Sequence, residues 1–445
     1  MTTGGRTLRV GLAGLVLLAA ACVPVAGPAP GPAGLFADGL AMGRDAGGPT
    51  VVPPRSGETF VPGTRVLTAD RSAIGAAADA AADRDWLAEG TTPGPASLLP
   101  MNQQALLDLR SLTGPNGAVI AGSTPAWRYV WPRDASFVAA AYAATGHRAD
   151  AGRVLTYLAS LTPTDGRWQA RYLTDGSSRA PDGRGVQLDG AGWVLWATGR
   201  YIDSGQSDPA GRAAAMSELE PLWPMVTASA DAIVALLGNR GLPPASPDYW
   251  ERRERSVTLG TVAPDLAGLQ AAVRLATVAG RAADAHRWAA AAITLRAGVD
   301  RTFGTDGWHR TRGGDIDAAV TFTMAPFLER SVTTVSGVVP RDTGLLERAF
   351  AATGNSNGGV RPGENWYRDG VSWTPETALF ALAFAATGEQ AKATQLLTWL
   401  SAHRTGLGSL PERVNPDGSP AAVAPLAWTC ALVLLASVEL NPAGR

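Results

Sequence analysis

The chain has 445 residues, enough for one large domain with an appendage. Hydrophobic residues make up 46% of it and charged residues only 17%, which predicts a globular protein with a large buried interior. The formal net charge of −1 gives no electrostatic attraction to nucleic acid, so nucleic acid is not expected as a partner. The four histidines are scattered and none stands at metal-ligand spacing with a cysteine, so neither a metal nor a cofactor is expected.

The N-terminus has the pattern of an export signal. Arg6 and Arg9 precede an apolar run, residues 10–21, that is too short to cross a membrane comfortably. Cleavage after the small residues that end this run and lipidation of Cys22 both fit the pattern, and we favour the lipid anchor. We therefore expect a signal peptide at 1–21 and an exported protein, either an envelope lipoprotein or a secreted one. Contact with the membrane is expected only through that anchor.

Beyond the signal the composition changes twice. Residues 22–54 are rich in Ala, Gly and Pro and are expected to form a tether without regular structure. An N-terminal extension, residues 55–96, follows. From about Ser97, apolar residues recur at helical spacing in about twelve blocks separated by Gly, Pro and Asp clusters. Alternating strand patterns are nearly absent, so we predict an all-α domain over residues 97–445.

An internal repeat supports this prediction. Residues 131–158 and 373–400 align without gaps, with 12 identities in 28 positions. Each copy is expected to form a helix, a stop at Gly146 or Gly388, and a second helix. Stacked helix hairpins build either an open solenoid or a closed toroid. We predict the closed form, since six hairpins closed on themselves make an (α/α)6 barrel with a natural pocket at its concave end.

Three loops combine carboxylates with aromatic residues and arginines. In residues 127–134, aromatic rings beside an Arg-Asp pair suit a sugar, although Asp134 could also simply cap a helix. In residues 247–253, Glu251 follows a tryptophan, whose indole could desolvate the carboxyl group and keep a proton on it. Glu412 stands in a loop before an apolar helix. Each glutamate taken alone would be read as a solvated surface charge.

Together these loops resemble glycoside hydrolase family 15, the glucoamylase and glucodextranase family. The motifs of that family occur here in the same order, over about residues 97 to 440. The matching residues that would face substrate are Trp131, Arg133, Asp134, Trp168, Tyr172, Trp250, Arg253, Arg361, Trp373 and Trp428.

The resemblance implies an (α/α)6 barrel and an inverting, exo-acting hydrolase of α-glucosidic linkages. Glu251 would be the general acid and Glu412 the general base, with Arg133 and Asp134 gripping the terminal sugar. In inverting enzymes the two carboxyl groups stand ~6.5–9.5 Å apart, which leaves room for the attacking water. The partner expected is an oligo- or polysaccharide.

Other readings stay open. The chain departs from the family at Pro362, where the family has Tyr, in a segment that would shape the substrate subsites. A catalytically silent glycan-binding protein on the same toroid would need neither carboxylate, so retention of both favours an enzyme. A sugar epimerase or a terpene-type cyclase would need a histidine pair or an Asp-rich metal motif, and neither is evident.

Overall fold

The computed structural model describes Met1 and residues 33–43, 49–206, 209–328 and 343–440. Residues 2–21 of the expected signal peptide, and Cys22, lie outside these residues. The described part contains thirteen α-helices: α1 Ala76–Glu89, α2 Leu99–Leu112, α3 Pro132–Ala144, α4 Arg148–Leu161, α5 Asp189–Ser204, α6 Pro209–Leu219, α7 Trp223–Leu236, α8 Leu259–Val278, α9 Ala282–Thr302, α10 Thr343–Thr353, α11 Thr374–Thr387, α12 Gln390–Ala402 and α13 Ala427–Leu440. Its short strands are β1 Gly39–Ala41, β2 Thr50–Val52, β3 Ser372–Trp373, β4 Arg413–Val414 and β5 Pro420–Ala421.

Twelve of the helical segments form two concentric rings. The inner ring contains, in order of contact, α3, α5, α8, the 3-10 helix Ala318–Thr323, α11 and α13. Since α13 packs against α3, the inner ring is closed. Helices α2, α4, α7, α9, α10 and α12 lie outside it. The predicted closed (α/α)6 barrel is therefore confirmed, with one difference: a six-residue 3-10 helix takes the fourth inner position.

Inner and outer helices differ in sequence because they differ in burial. In α11 every residue from Thr374 to Ala385 is buried, so this helix is enclosed around its whole circumference. The outer helix α4 is amphipathic, with Val154, Leu158 and Leu161 buried on one stripe. Gly146 and Gly388 have φ values of 86° and 94°, which confirms the predicted helix stops.

The described part of the expected tether belongs to the fold. Strands β1 and β2 pair antiparallel, and Leu40 of β1 joins the main hydrophobic core. The ring of Phe36 packs on that of Trp127, with centroids 5.9 Å apart. The composition is compatible with this structure because two three-residue strands need only a few apolar side chains. Among the described helices, none has the length and apolar character needed to cross a bilayer.

The contact between α5 and α8 depends on glycine. A Cβ atom at Gly268 would lie 2.6 Å from the Cα atom of Gly192, so these helices approach backbone to backbone. Replacing Gly268 with Ala should force the two inner helices apart. Overpacking of this kind costs about 1–3 kcal/mol of unfolding free energy, more than the gain in helix propensity.

We therefore expect Gly268→Ala to lower the midpoint of urea unfolding. Gly183→Ala is the control, since a Cβ atom there would meet nothing within 4 Å. The control should change stability by less than about 0.5 kcal/mol. Equal midpoints for the two variants would contradict the close helix contact.

Candidate active site

A cavity of about 240 Å³ lies at the N-terminal ends of α3, α11 and α13. Its walls carry two glutamates from distant loops together with indoles and arginines. The polar and aromatic side chains of the lining are Trp127, Trp131, Arg133, Asp134, Arg184, Tyr249, Trp250, Glu251, Trp366, Trp373, Glu376, Glu412 and Trp428. Both predicted catalytic carboxyl groups thus face one space, while their separation of ~6.5–9.5 Å stays a prediction.

Glu412 is buried and held from both sides. The indole Nε1 of Trp127 donates to Oε1 at 3.2 Å, and Nε of Arg413 donates to Oε2 at 3.2 Å. Burial raises the pKa of Glu412, and the Arg413 and Trp127 contacts only partly oppose it. Arg413 is thus a counter-ion of this carboxyl group, but burial has the larger effect on its pKa.

Glu251 has a different environment. Its backbone lies in the left-handed region, with φ of 54°, a conformation that is retained mainly where a site requires it. Arg184 donates to Oε2 at 2.9 Å and Arg133 lies 3.5 Å from Oε1. The polar contacts of the Glu251 side chain are therefore with two cations, while the ring of Trp250 packs on Arg310 at 3.9 Å.

A buried guanidinium fixes the loop that carries Glu251. Arg310 donates to Asp248 at 2.7 Å, to Glu254 at 2.7 Å and to Asp317 at 2.8 Å. Desolvation opposes the charge of Arg310, but these carboxylates outweigh it and raise the pKa of the guanidinium. The cation thus remains charged below the surface and ties together two loops.

Asp248 links Arg310 to the turn that contains Glu251. Its Oδ1 accepts from the amide of Trp250 at 2.9 Å, and its carbonyl accepts from the amide of Glu251 at 2.8 Å. Its Oδ2 accepts from the hydroxyl of Thr258 at 2.7 Å. Each hydrogen-bonding group of Asp248 that faces the turn is therefore used to hold the Glu251 backbone in place.

Arg133 and Asp134 lie in the first turn of α3, on the floor of the cavity. Trp131, not Asp134, occupies the N-cap position, and no side chain caps the helix. The Arg133 guanidinium stacks on Trp428 at 4.8 Å and lies 3.2 Å from the Asp134 carboxylate. Burial raises the pKa of Asp134 to about 6, although Arg133 opposes the shift.

Several polar atoms of the lining have no hydrogen-bond partner in the described structure. They are the indole Nε1 atoms of Trp131, Trp250, Trp366 and Trp428, Nε and Nη1 of Arg133, and Oε2 of Glu376. Buried polar groups are normally paired in folded proteins. A concentration of unpaired donors around one cavity therefore suits a ligand rich in hydroxyl groups.

Four residues expected to face substrate lie elsewhere. Trp168 is fully buried and donates to the Ser229 hydroxyl at 3.0 Å, and Tyr172 packs beside it. Arg361 donates to backbone carbonyl groups at the C-terminal end of α10. Arg253 is exposed and lines a separate cleft. The structure therefore corrects the prediction for these residues, while the other six predicted residues all line the cavity.

Five polar or aromatic residues of the lining were not predicted. Trp127 lies in the aromatic run that pointed to a sugar, so its neighbours could have indicated it. Glu376 directly follows a proline at the start of α11, which gave it the pattern of a helix opening. Tyr249 stands two positions before Glu251 in the same loop. Arg184 and Trp366 lie in irregular segments without periodicity, and nothing in the sequence distinguishes them.

Comparison with known proteins finds similarity to glycoside hydrolases. The sequence profile described as Glycosyl hydrolases family 15 matches residues 101–313. An uncharacterized glycosyl hydrolase of Methanocaldococcus jannaschii is 24% identical over 365 residues, which cover 75% of this chain and 55% of that protein. The chain thus spans about half the length of that relative.

Solved structures share the fold. A wild-type glycosidase has a TM-score of 0.64 at 21% identity, covering 78% of this chain and 97% of its own. The glucoamylase from Saccharomycopsis fibuligera has a TM-score of 0.61 at 16% identity, covering 80% and 98%. These likenesses support the barrel architecture.

Arg310 provides a test of how the Glu251 loop is anchored. Arg310→Met should leave three buried or half-buried carboxylates without their cation, which costs about 3–5 kcal/mol of unfolding free energy. Arg167→Met is the control, because Arg167 and Asp165 form an exposed pair. Such pairs contribute about 0–1 kcal/mol. Similar urea midpoints for the two variants would show that Arg310 does not anchor the loop.

Proposed function

We propose that this chain is an exported inverting hydrolase of glycoside hydrolase family 15 that removes terminal sugars from α-glucosides. The observation that carries the proposal is the convergence of Glu251 and Glu412, from distant loops, on one cavity lined by indoles and arginines. Inverting hydrolysis requires such a pair, one carboxyl group to protonate the leaving oxygen and the other to activate water.

The walls of the cavity suit a sugar ring. Indole faces stack on the C–H faces of a pyranose, and the unpaired Nε1 donors of four tryptophans can meet its hydroxyl groups. Arg133 and Asp134 add charged donors and acceptors, whose hydrogen bonds are stronger than those of neutral groups. The terminal sugar would therefore be held on the floor of the cavity, above Trp428.

The surroundings of Glu251 and Glu412 suit different roles in proton transfer. Glu251, with 24% of its side chain exposed, donates a proton to the leaving oxygen as the glycosidic bond breaks. Arg133 and Arg184 stabilise the carboxylate that results. Glu412 removes a proton from the water that attacks the anomeric carbon from the opposite side. Its burial favours the protonated product of that step, which strengthens it as a base.

The shape of the cavity supports exo action. Beneath Trp428, the barrel centre is filled by an aromatic cluster that includes Phe137, Trp193 and Phe327. Since these side chains are buried and pack on one another, a glycan cannot pass through the barrel. A cavity closed at its base accepts a chain end and excludes the middle of a polymer.

A catalytically silent glycan-binding protein is the second candidate. The observation that favours it is the contact of Glu251 with both Arg133 and Arg184, since the group that must deliver a proton lies between two cations. The two candidates differ in turnover and not in sugar binding, so one set of variants distinguishes them.

The test of the catalytic pair uses Glu251→Gln and Glu412→Gln, assayed against α-linked di- and oligosaccharides. Each substitution preserves shape and removes proton transfer, so we expect turnover to fall by about 10²–10⁴-fold with binding nearly unchanged. Glu251→Gln should regain activity on substrates with good leaving groups, and Glu412→Gln should regain it with azide. NMR of fresh product should show the β anomer.

The control for this test is Arg253→Gln, since Arg253 lies outside the cavity. It should keep full turnover. Sugar binding without hydrolysis by the unmodified protein would favour the silent candidate. Release of the α anomer would overturn the inverting mechanism.

The cellular location is part of the proposal. If Cys22 carries the lipid anchor, Cys22→Ala should release the protein from the membrane fraction while the unmodified protein stays with it. Immunoblotting of the fractions measures this, and Cys430→Ala is the control because Cys430 is buried in α13. Identical fractionation of Cys22→Ala and the unmodified protein would contradict the lipid anchor.

A further inference from the structure

A third carboxyl group faces the cavity besides the two proposed to be catalytic. Glu376 lies in the first turn of α11, lines the cavity, and exposes only 3% of its surface. Its Oε2 has no hydrogen-bond partner in the described structure. A buried oxygen without a partner is costly, and in a ligand-lined cavity it indicates a contact that substrate completes.

The groups around Glu376 do not supply that contact. Its charged and titratable neighbours are Glu412 from the loop before β4, Arg133 from α3, Asp317 from the start of the 3-10 helix, and Tyr249 from the acid loop. Arg133 and the hydroxyl group of Tyr249 have other partners, namely Asp134 and Asp317. Oε2 of Glu376 is thus left without a hydrogen-bond partner from any of these groups.

We propose that the carboxyl group of Glu376 binds a hydroxyl group of the terminal sugar beside Glu412 and so determines which sugars the cavity accepts. The proposal rests on the proposed function, because it places a sugar between the two catalytic carboxyl groups. Glu376 transfers no proton in it. A site built to hydrogen-bond a hydroxyl group rejects an analogue that lacks the group, because its own buried polar atom is then unpaired.

The protonation state of Glu376 determines whether it can donate a hydrogen bond in this contact. Burial, and to a smaller extent the charge of Glu412, raises the pKa of Glu376 to about 8, although its own amide and Arg133 oppose the shift. Below pH 8 the carboxyl group is therefore neutral and can donate its proton to a sugar oxygen. Above pH 8 it ionises, loses this donor and repels the Glu412 carboxylate.

A purely structural role would act differently. In a purely structural role, Glu376 would only accept a hydrogen bond from its own backbone amide at the start of α11. Because the folded-state pKa of about 8 exceeds the ordinary value of 4.5, folding stability falls as pH rises from about 4.5 to 8. The stability of Glu376→Gln should not fall in this way, because glutamine does not ionise. A structural role therefore changes the melting temperature without changing sugar affinity.

The experiment measures sugar affinity in a background that cannot turn substrate over. Glu251→Gln is the reference, and Glu376→Gln, Glu376→Leu and Glu389→Gln are added to it. The probes are maltose, isomaltose and trehalose, titrated by tryptophan fluorescence at pH 6.5 and pH 9. Glu389, at the start of α12, lies outside the cavity and controls for the loss of a negative charge. Melting temperatures are measured in parallel.

We expect Glu376→Leu to bind about tenfold more weakly at pH 6.5, the effect of one lost hydrogen bond. Glu376→Gln keeps a donor and should bind within about twofold of the reference at that pH. Between pH 6.5 and 9 the reference should weaken by about tenfold as Glu376 ionises, whereas Glu376→Gln should stay nearly constant. The Glu389→Gln variant should follow the reference.

Two results would overturn the proposal: equal affinity of Glu376→Leu and the reference at pH 6.5, or the same pH dependence for Glu376→Gln and the reference. If the reference binds none of the three sugars and the unmodified protein hydrolyses none, the proposed function fails together with this inference. If binding and hydrolysis are seen and the Glu376 variants match the reference, only the role of Glu376 is wrong.

Discussion

The buried cation of Arg310 is the contact on which the catalytic side of the barrel depends. A guanidinium below the surface is costly unless its charge is matched, and here Asp248, Asp317 and Glu254 match it. Asp248 holds the turn of Glu251, and Asp317 caps the 3-10 helix through the amide of Ala319. The Arg310 side chain therefore links the loop of Glu251 to the 3-10 helix Ala318–Thr323 of the inner ring.

Much of the fold could be predicted because its signals are local. Helical periodicity and glycine stops are determined by neighbouring residues, and the repeat showed that the same hairpin recurs. The fourth helical segment of the inner ring was harder to predict, since the 3-10 helix Ala318–Thr323 is too short for a periodic pattern. Residues 33–43 also escaped prediction, because the pairing of β1 depends on β2 and on the nearby domain surface and not on their own composition.

The site could be predicted in part, for a related reason. Motifs identified Glu251, Glu412 and the aromatic residues beside them, and these do share one cavity. A motif does not tell which side of a wall a ring faces, however, so Trp168 was assigned to the cavity although it packs behind it. Glu376 was missed for the opposite reason. Its position after a proline has a sufficient local explanation, and only the tertiary structure shows the carboxyl group beside Glu412.

The closure of the ring by α13 has a consequence for how the protein is made. Helix α13 packs against α2 and α3, and Asn102 near the start of α2 donates to the Ser437 hydroxyl at 2.9 Å. The same helix provides Trp428, which supports Arg133 at the cavity floor. The first hairpin therefore lacks its partner surface until the last helix has been synthesised. Folding can finish only after the whole chain is available, so an export route that moves unfolded chains would meet a protein that has not yet closed.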